Sequence, residues 1–304
     1  MTSYLLRRAV HALVILILVS LLSFLMARLA PGSFFDDLAL NPRISNDTIA
    51  ALKARYGVDS PFATRYFLWL SSVFRGDLGT SLTYQRPASD ILLPRAMDTL
   101  RLTTLACLLT WLFALPLAVL CAARPGRLLD RTLFAASATL LAIPELLAAL
   151  LLLFAVVRLG LLGRIGGMLL PAVVLIAGAF PVVFKHSREA LATAAAASYI
   201  RAAHAHGIRG ARLWLRFIGP AAANPLISLF GLSIGGLASS SLLVEAVLSR
   251  PGLGPLFLDA ISARDIDVVI AVVLFSAAFL IVGNLFADIL LFACDPRIRT
   301  EERS

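Results

Sequence analysis

Six apolar stretches, each long enough to cross a lipid bilayer, restrict this sequence to a membrane-spanning helical fold. A transmembrane helix needs about 17 to 25 predominantly apolar residues. The stretches that meet this condition are residues 9–27, 99–122, 132–157, 168–184, 226–248 and 268–292. With 60% hydrophobic and 15% charged residues, the chain is too apolar for a soluble globular protein. The prediction is an all-α, polytopic membrane protein with six transmembrane helices.

The distribution of arginine predicts which helix ends face the cytoplasm. Arg7 and Arg8 precede the first apolar stretch, and Arg124, Arg127 and Arg131 follow the second. Because Lys and Arg accumulate in cytoplasmic loops, we expect both the N- and C-termini to be cytoplasmic. The first stretch exceeds a signal-peptide core and predicts an uncleaved span. The formal net charge of +9 then reflects membrane topology, and no nucleic-acid partner is expected.

Residues 31–97 have the composition of a soluble segment and predict two short helices. Asn46 and Asp47 are typical of a helix start, and Gly57 of its end. A second helix should begin at Pro61, since proline suits the first helical position. Its apolar stripe predicts contact with the membrane surface or the helix bundle: Phe62, Tyr66, Trp69, Leu70 and Val73. The predicted divisions are a first transmembrane helix in 1–30, this segment, and a core of five further spans in 98–304.

The polar run 185–216 lies between two apolar stretches and must lie in water. Residues 190–205 are rich in alanine and favour a helix, and Gly207 follows where a C-cap glycine is expected. A second helix should present a basic face, formed by Arg209, Arg212 and Arg216. Its opposite face should be apolar, formed by Ile208, Ala211, Trp214, Leu215 and Ile218. This pattern is typical of an amphipathic loop on lipid headgroups or of an element that transmits force to a partner.

Recurrent motifs lie along nearly the whole chain. Arg201-Ala202-Ala203, with Gly207 and Pro220 downstream, is similar to the cytoplasmic EAA loop of ABC-importer permeases for dipeptides, oligopeptides and nickel. Further family motifs recur in order: Arg28-Leu29-Ala30-Pro31-Gly32, Tyr56-Gly57, Asp59, Pro61, Tyr66, Trp69-Leu70, Gly76-Asp77-Leu78-Gly79, Ser81, Arg86-Pro87 and the final Asp295-Pro296-Arg297. The resemblance implies the type I ABC-importer permease fold in a bacterial cytoplasmic (inner) membrane.

The resemblance also implies a function and partners. The chain would be the permease subunit that forms the translocation pathway for peptides or a related small solute. Its partners would be a second, homologous permease, two ATP-binding subunits and an extracytoplasmic solute-binding protein, which would dock beside residues 31–97. Residues 185–220 would form the loop that couples to the ATPases, through Tyr199, Arg201, Ala202, Ala203, His204, His206, Gly207 and Arg209. Whether the solute is a dipeptide, a longer peptide or a metal chelate stays open.

No catalytic, metal or cofactor site is expected in this chain. Neither Lys53 nor Lys185 closes a phosphate-binding Gly-x-x-x-x-Gly-Lys loop, so ATP and Mg are expected on partner subunits. The run from Gly231 to Gly235 matches G-x-S-x-G, yet it lies in an apolar helix and not at a strand-to-helix turn. His204 and His206 would point about 200° apart on a helix, which disfavours a metal site. The sequence therefore predicts a transport subunit and not an enzyme.

Three carboxylates within the predicted spans are candidate pathway or polar membrane sites: Glu145, Glu245 and Asp288. We favour a wet cavity for Glu145, where the resembling family usually has a small polar residue, and structural pairing for the other two. The alternative function is a proton-coupled secondary transporter that uses these carboxylates. In the fifth stretch, small residues at four-residue spacing predict close helix packing, within the chain or across a dimer: Gly231, Gly235 and Ser239.

Overall fold

The computed structural model describes residues 2–29, 32, 34–39, 45–55 and 61–294, and the structure is 84% helical. The helices are α1 (Thr2–Leu29), α2 (Phe34–Ala39), α3 (Asn46–Arg55), α4 (Phe62–Phe74), α5 (Ala88–Ala123), α6 (Leu128–Ala142), α7 (Glu145–Arg158), α8 (Leu162–Ile165), α9 (Leu169–Ala195), α10 (Ser198–Ala205), α11 (Gly210–Leu213), α12 (Gly219–Val247), α13 (Leu253–Ser262) and α14 (Ile266–Cys294). A π-helical turn, Trp214–Ile218, joins α11 to α12. The prediction of an all-α polytopic protein is confirmed.

Five helical segments are long and apolar enough to cross a membrane, and a bent pair supplies a sixth candidate. The five are α1, α5, α9, the segment 210–247 and α14. The pair is α6 and α7, which meet at an angle of 96°. The predicted single third span, 132–157, is therefore broken. Pro144 explains the break, because proline lacks an N–H and pushes the preceding residue, Ile143, into an extended conformation (φ −90°, ψ 118°).

The first of two compact units comprises residues 1–8, 99–250 and 279–304. At its centre α9 packs against α12, and α6 and α7 pack against α9. One buried cluster lies where α9 leads into α10 and includes Cys121, Phe184, Leu191, Ile200, Leu213 and Ile218. A second cluster joins α5, α9 and α12 and includes Leu102, Ala106, Leu175, Leu237 and Val244. These two clusters fix the helices that carry the candidate site.

The second unit comprises residues 9–98 and 251–278. Its core joins α1, α4 and α14 through Phe24, Tyr66, Trp69 and Ile270, and Phe62, Leu70 and Val73 pack around them. The predicted apolar stripe of α4 thus faces the protein interior. Helix α3 begins at Asn46 as predicted, and Ser45 caps it, because the Ser45 Oγ accepts a hydrogen bond from the Thr48 N–H at 3.2 Å. The predicted helix end at Gly57 and the motifs at 56–60 and 295–297 lie outside the described residues.

The predicted helix over 190–205 is wrong, because α9 runs on to Ala195 and a new helix, α10, begins at Ser198. Ala197 is extended between them (φ −61°, ψ 146°), so the chain turns there. Gly207 has the expected left-handed conformation (φ 79°). Arg209 is extended and precedes the second helix instead of lying in it.

The apolar face predicted for the second helix is also wrong in part. Leu215 is 80% exposed, whereas Ile218 is buried as expected. A π-helical turn contains an additional residue, so it shifts the direction of the side chains that follow. The Gly219 N–H bonds to the Trp214 carbonyl five residues before it, and Pro220 has no N–H to restore the α-helical pattern. The buried and exposed faces that regular helical spacing predicts therefore do not hold at this turn.

Two boundaries differ from those the apolar stretches predicted. Helix α5 begins at Ala88, inside the segment predicted to precede the second span, and a further helix, α13, lies between the fifth and sixth apolar stretches. Gly76 and Gly79, with positive φ values of 86° and 92°, form the turn between α4 and α5. A side chain at Gly79 would meet the carboxylate of Asp267. Glycine is needed at this position for both its conformation and its contact.

Candidate translocation pathway and coupling surface

A cavity of about 510 Å³ lies in the first unit beside the break between α6 and α7. Glu145 supplies its one carboxylate, and α9, α12 and α14 complete the wall. Most of the lining is apolar and includes Leu140, Ile143, Leu175, Val182, Leu229, Leu232 and Leu280. Hydroxyls are contributed by α12, from Ser233, Ser239 and Ser240. The cavity combines a mainly apolar surface with a few polar groups, as solute-binding cavities commonly do.

The backbone around the break positions the Glu145 carboxylate. Glu145 is the first residue of α7, directly after Pro144. Across the cavity, Gly178 of α9 leaves room for the side chain, since a Cβ added there would lie 3.3 Å from Glu145 Oε1. Ser240 lines the same cavity as the carboxylate. Glu145 therefore lies at the wall of a cavity, and its role in a pathway stays a prediction.

A second, more open cavity of about 720 Å³ lies between the end of α9, the start of α10 and the first turns of α12. It shares Leu229 and Leu232 with the first cavity. Its polar lining residues are His186, Glu189, Thr193, Tyr199 and Ser228. The two cavities are neighbours along α9 and α12, and we call them together the α9–α12 groove. It extends from Glu145 to Tyr199.

Glu245 and Asp288 lie outside this groove, and the three predicted carboxylates do not come together. Glu245 is 0% exposed, and its Oε2 accepts a hydrogen bond from the Thr99 hydroxyl at 2.9 Å. Asp288 pairs with Arg8, with 2.7 Å between Arg8 Nη2 and Asp288 Oδ1. Both side chains join helices that are distant in sequence. Each carboxylate thus has a polar partner, and the structural role favoured for both stays a prediction.

The small residues of α12 have two kinds of surroundings, helix α14 and the cavity of Glu145. Gly231 and Gly235 are buried and face α14, where added side chains would collide with Ala287 and Leu280. From the other side, Gly283 of α14 lies against Ile234. Gly235 and Ser239 also line the cavity of Glu145. The two glycines therefore make a contact within this chain.

The predicted coupling residues form an exposed surface around α10. Tyr199 is 52% exposed, and Arg201, Ala202, His204, His206, Gly207 and Arg209 are also exposed. Ala203 is the exception: it is buried with Ile200 in the cluster that contains Phe184 and Leu191. Helix α10 thus has an anchored apolar face and a free polar face. We call the free polar face the α10 surface.

Sequence reasoning missed an ion pair beside the α10 surface. Arg188 of α9 donates two hydrogen bonds to the Asp130 carboxylate, from Nε to Oδ1 and from Nη2 to Oδ2 (2.7 Å for the latter). The Gly126 N–H donates a third, to Asp130 Oδ2, at 2.8 Å. Asp130 is buried, so the pair ties the start of α6 to the end of α9. In the sequence, this ion pair is indicated by one acidic residue, Asp130, within an arginine-rich loop.

A second missed residue, Asp265, organises the loop that contains the Gly76–Gly79 motif. Buried Asp265 accepts hydrogen bonds at Oδ2 from the Ser81 hydroxyl and from the Thr83 N–H (3.1 Å). The Ser81 Oγ in turn accepts the Tyr84 N–H at 3.0 Å. The motif residues thus meet a partner that lies 184 positions from Ser81. No local spacing indicates this contact.

Membrane-spanning helices around a partly polar groove define this chain as a transport protein of the helical class. Residues 114–300 match the family model described as binding-protein-dependent transport system inner membrane component. Residues 1–100 match the model for the N-terminal part of such membrane components. The chain belongs to this family, whose members are permease subunits of ABC importers and not enzymes. The family and the apolar helices assign it to the inner membrane as a multi-pass protein.

Individual relatives match the chain over almost its full length. The oligopeptide transport system permease protein AppB of Bacillus subtilis (strain 168) is 32% identical and covers 98% of this chain and 99% of its own length. The glutathione transport system permease protein GsiC of Salmonella choleraesuis (strain SC-B67) is 31% identical, with the same two coverages. The dipeptide transport system permease protein DppB of Lactococcus lactis subsp. cremoris (strain MG1363) is 29% identical over 98% of this chain.

A solved structure supports the fold. A chain from inward facing conformations of the MetNI methionine ABC transporter matches with a TM-score of 0.51 and 21% identity. The match covers 69% of this chain and 95% of that chain. The predicted ABC-permease fold is therefore confirmed, whereas the alternative of a proton-coupled secondary transporter finds no support.

Proposed function

We propose that this permease subunit provides part of a pathway for peptides or a related small solute, and that the pathway runs along the α9–α12 groove. The observation that carries the proposal is that two cavities lie side by side along α9 and α12 and share Leu229 and Leu232. A mainly apolar wall with scattered hydroxyls suits a solute that combines amide and apolar groups. The relatives named for oligopeptide, dipeptide and glutathione transport support the same solute class.

The partners follow from the family and from the shape of the α10 surface. A second permease chain would complete the pathway, and a solute-binding protein would deliver the solute beside residues 31–97. Two ATP-binding subunits would bear on the α10 surface and hold ATP and Mg, which this chain does not bind. Because α10 is anchored through Ile200 and Ala203 to the cluster around Phe184, movement of α10 would reach α9. Rearrangement of α9 against α12 would then change which end of the groove is open.

Filling the groove tests the pathway directly. Gly236 lines the cavity that contains Glu145, and a Cβ added there meets nothing within 4 Å. Gly236→Trp should therefore be accommodated by the backbone while its ring occupies the cavity. We expect ATP-dependent uptake into vesicles that contain the full transporter to fall by at least about tenfold, as a blocked route requires. Assembly with the partner subunits should be unchanged.

The matched control is Gly163→Trp, in exposed α8, where an added Cβ also meets nothing within 4 Å. This variant introduces the same ring outside the groove and should transport normally. Full uptake by a correctly assembled Gly236→Trp transporter would show that solute does not pass through the cavity that contains Glu145. The pathway proposal would then fail.

The proposed orientation places α13 outside and the loop between α5 and α6 in the cytoplasm. Single cysteines at Ser45 and Ser262 should react with a membrane-impermeant thiol reagent applied to intact cells, whereas one at Gly126 should react only after the membrane is opened. The basis is the arginine content of the loop around Gly126. Labelling of the Gly126 cysteine in intact cells would reverse the orientation.

A further inference from the structure

The charge of the α9–α12 groove is opposite to that of the chain. The whole sequence has 27 Lys and Arg against 18 Asp and Glu. The residues described as lining the two cavities include the carboxylates Glu145 and Glu189 and the base His186, and none of them is lysine or arginine. Low-dielectric walls strengthen the field of such charges within a groove. The groove should therefore attract cations and repel anions.

Acceptor groups are concentrated around Glu145. Ser233 is engaged elsewhere, since its Oγ accepts the Trp111 Nε1–H at 3.0 Å and donates to the Phe230 carbonyl at 2.7 Å. Ser239 and Ser240 line the same cavity as the Glu145 carboxylate. Carboxylate and hydroxyl oxygens are suitable acceptors for an ammonium or guanidinium group. Among the residues that the structure describes, the rest of this lining is apolar and includes no competing cation.

The local fold keeps the carboxylate at this position. Pro144 interrupts the helix immediately before Glu145, and Gly178 provides the space that its side chain occupies. A carboxylate within a membrane span is costly unless it is paired or solvated. A passing cation would provide such a pair and would be bound transiently.

We propose that the solute carried along the groove bears a positive charge, as a peptide with a basic side chain does, and that Glu145 pairs with this charge during passage. Glu145 is then a specificity-determining residue, and the apolar wall contacts the remainder of the solute. The inference rests on the proposed function, because it takes the groove as the pathway. Two experiments separate the inference from that function.

The first experiment measures the charge selectivity of the cavity without transport. In a full-length background with Cys107, Cys121 and Cys294 replaced by alanine, Ser239→Cys places one thiol on the cavity wall. The probes are the trimethylammonium-ethyl and the sulfonatoethyl methanethiosulfonates. We expect the ratio of cationic to anionic reaction rates to fall about tenfold with Glu145→Gln, from the loss of one nearby charge.

Two variants control this measurement. Glu145→Asp retains the charge and should preserve most of the ratio. Asp259→Asn removes one negative charge at an exposed position of α13 and should leave the ratio unchanged. If the ratio of cationic to anionic reaction rates is the same with Glu145→Gln as with Glu145 retained, the proposal is overturned, and this result does not depend on which solute is transported.

The second experiment measures uptake of labelled alanyl-lysine, alanyl-alanine and alanyl-glutamate by vesicles with the complete transporter. Glu145→Gln should reduce alanyl-lysine uptake by at least about tenfold and alanyl-alanine uptake by less than about twofold. Equal loss of both would overturn the charge proposal and leave the pathway standing. If the unmodified transporter carries none of the three, the peptide part of the proposed function fails, and the thiol experiment alone decides whether the groove selects cations.

Discussion

Replacing Arg188 with alanine is expected to destabilise the first unit by about 2 to 3 kcal/mol. The substitution leaves the buried Asp130 carboxylate without its bidentate partner, and breaking a buried ion pair costs about 3 to 5 kcal/mol. The expected value lies below that range because the Arg188 side chain is 25% exposed. The measurement is the thermal unfolding midpoint of the purified transporter in detergent, together with the yield of assembled complex.

The control is Arg124→Ala, which removes an exposed arginine from the same loop and should change the midpoint little. The double substitution Asp130→Leu with Arg188→Leu should be more stable than Arg188→Ala, because it removes both buried charges. If Arg188→Ala unfolds at the same temperature as the unmodified protein, the pair does not hold α6 to α9.

Replacing Gly207 with valine should separate ATP hydrolysis from transport. Gly207 has a φ of 79°, and a β-branched residue there costs on the order of 1 to 2 kcal/mol. An added Cβ meets nothing within 4 Å, so the strain acts on the backbone after α10 and not through a collision. We expect hydrolysis no longer to be stimulated by loaded binding protein, and uptake to fall by at least about tenfold. Both rates can be measured in the same vesicles.

Gly160→Val provides a control with the same kind of strain at another place. Gly160 also has a positive φ (66°) and open space around its Cα, but it follows α7, away from the α10 surface. It should assemble and transport normally. Stimulated hydrolysis and full uptake in the Gly207→Val transporter would mean that the α10 surface does not couple to the ATPases.

The features that sequence predicted are those that depend on local composition. Apolar runs predicted the membrane helices, and period-3.6 spacing predicted the apolar stripe of α4; of the two surroundings left open for it, the structure shows the protein interior, with Tyr66 and Trp69 buried. Gly207 was predicted to adopt positive φ because it follows an alanine-rich helix. Glu145 was expected in a cavity because a carboxylate within a span favours polar surroundings.

The features that sequence missed depend on distant contacts or on irregular backbone. Asp130 meets Arg188 across 58 positions, and Ser81 meets Asp265 across 184, so neither pair has a local signature. The bend at Pro144 had a visible cause, but hydropathy alone joins α6 and α7 into one apolar stretch. The π-helical turn altered the buried face after Leu213, because residue spacing assumes a regular helix.

The central claim is that solute passes along the α9–α12 groove and that ATP changes which end is open. In the background that lacks the native cysteines, Ser239→Cys places a single thiol in the cavity that contains Glu145. Ser228→Cys places one in the second cavity, beside Tyr199. The measurement is the rate at which each thiol reacts with a water-soluble reagent, with the complete transporter at rest and trapped with ATP and vanadate. We predict that trapping raises one rate and lowers the other, each by several-fold. Rates that change together, or that do not change, would contradict alternating access along this groove.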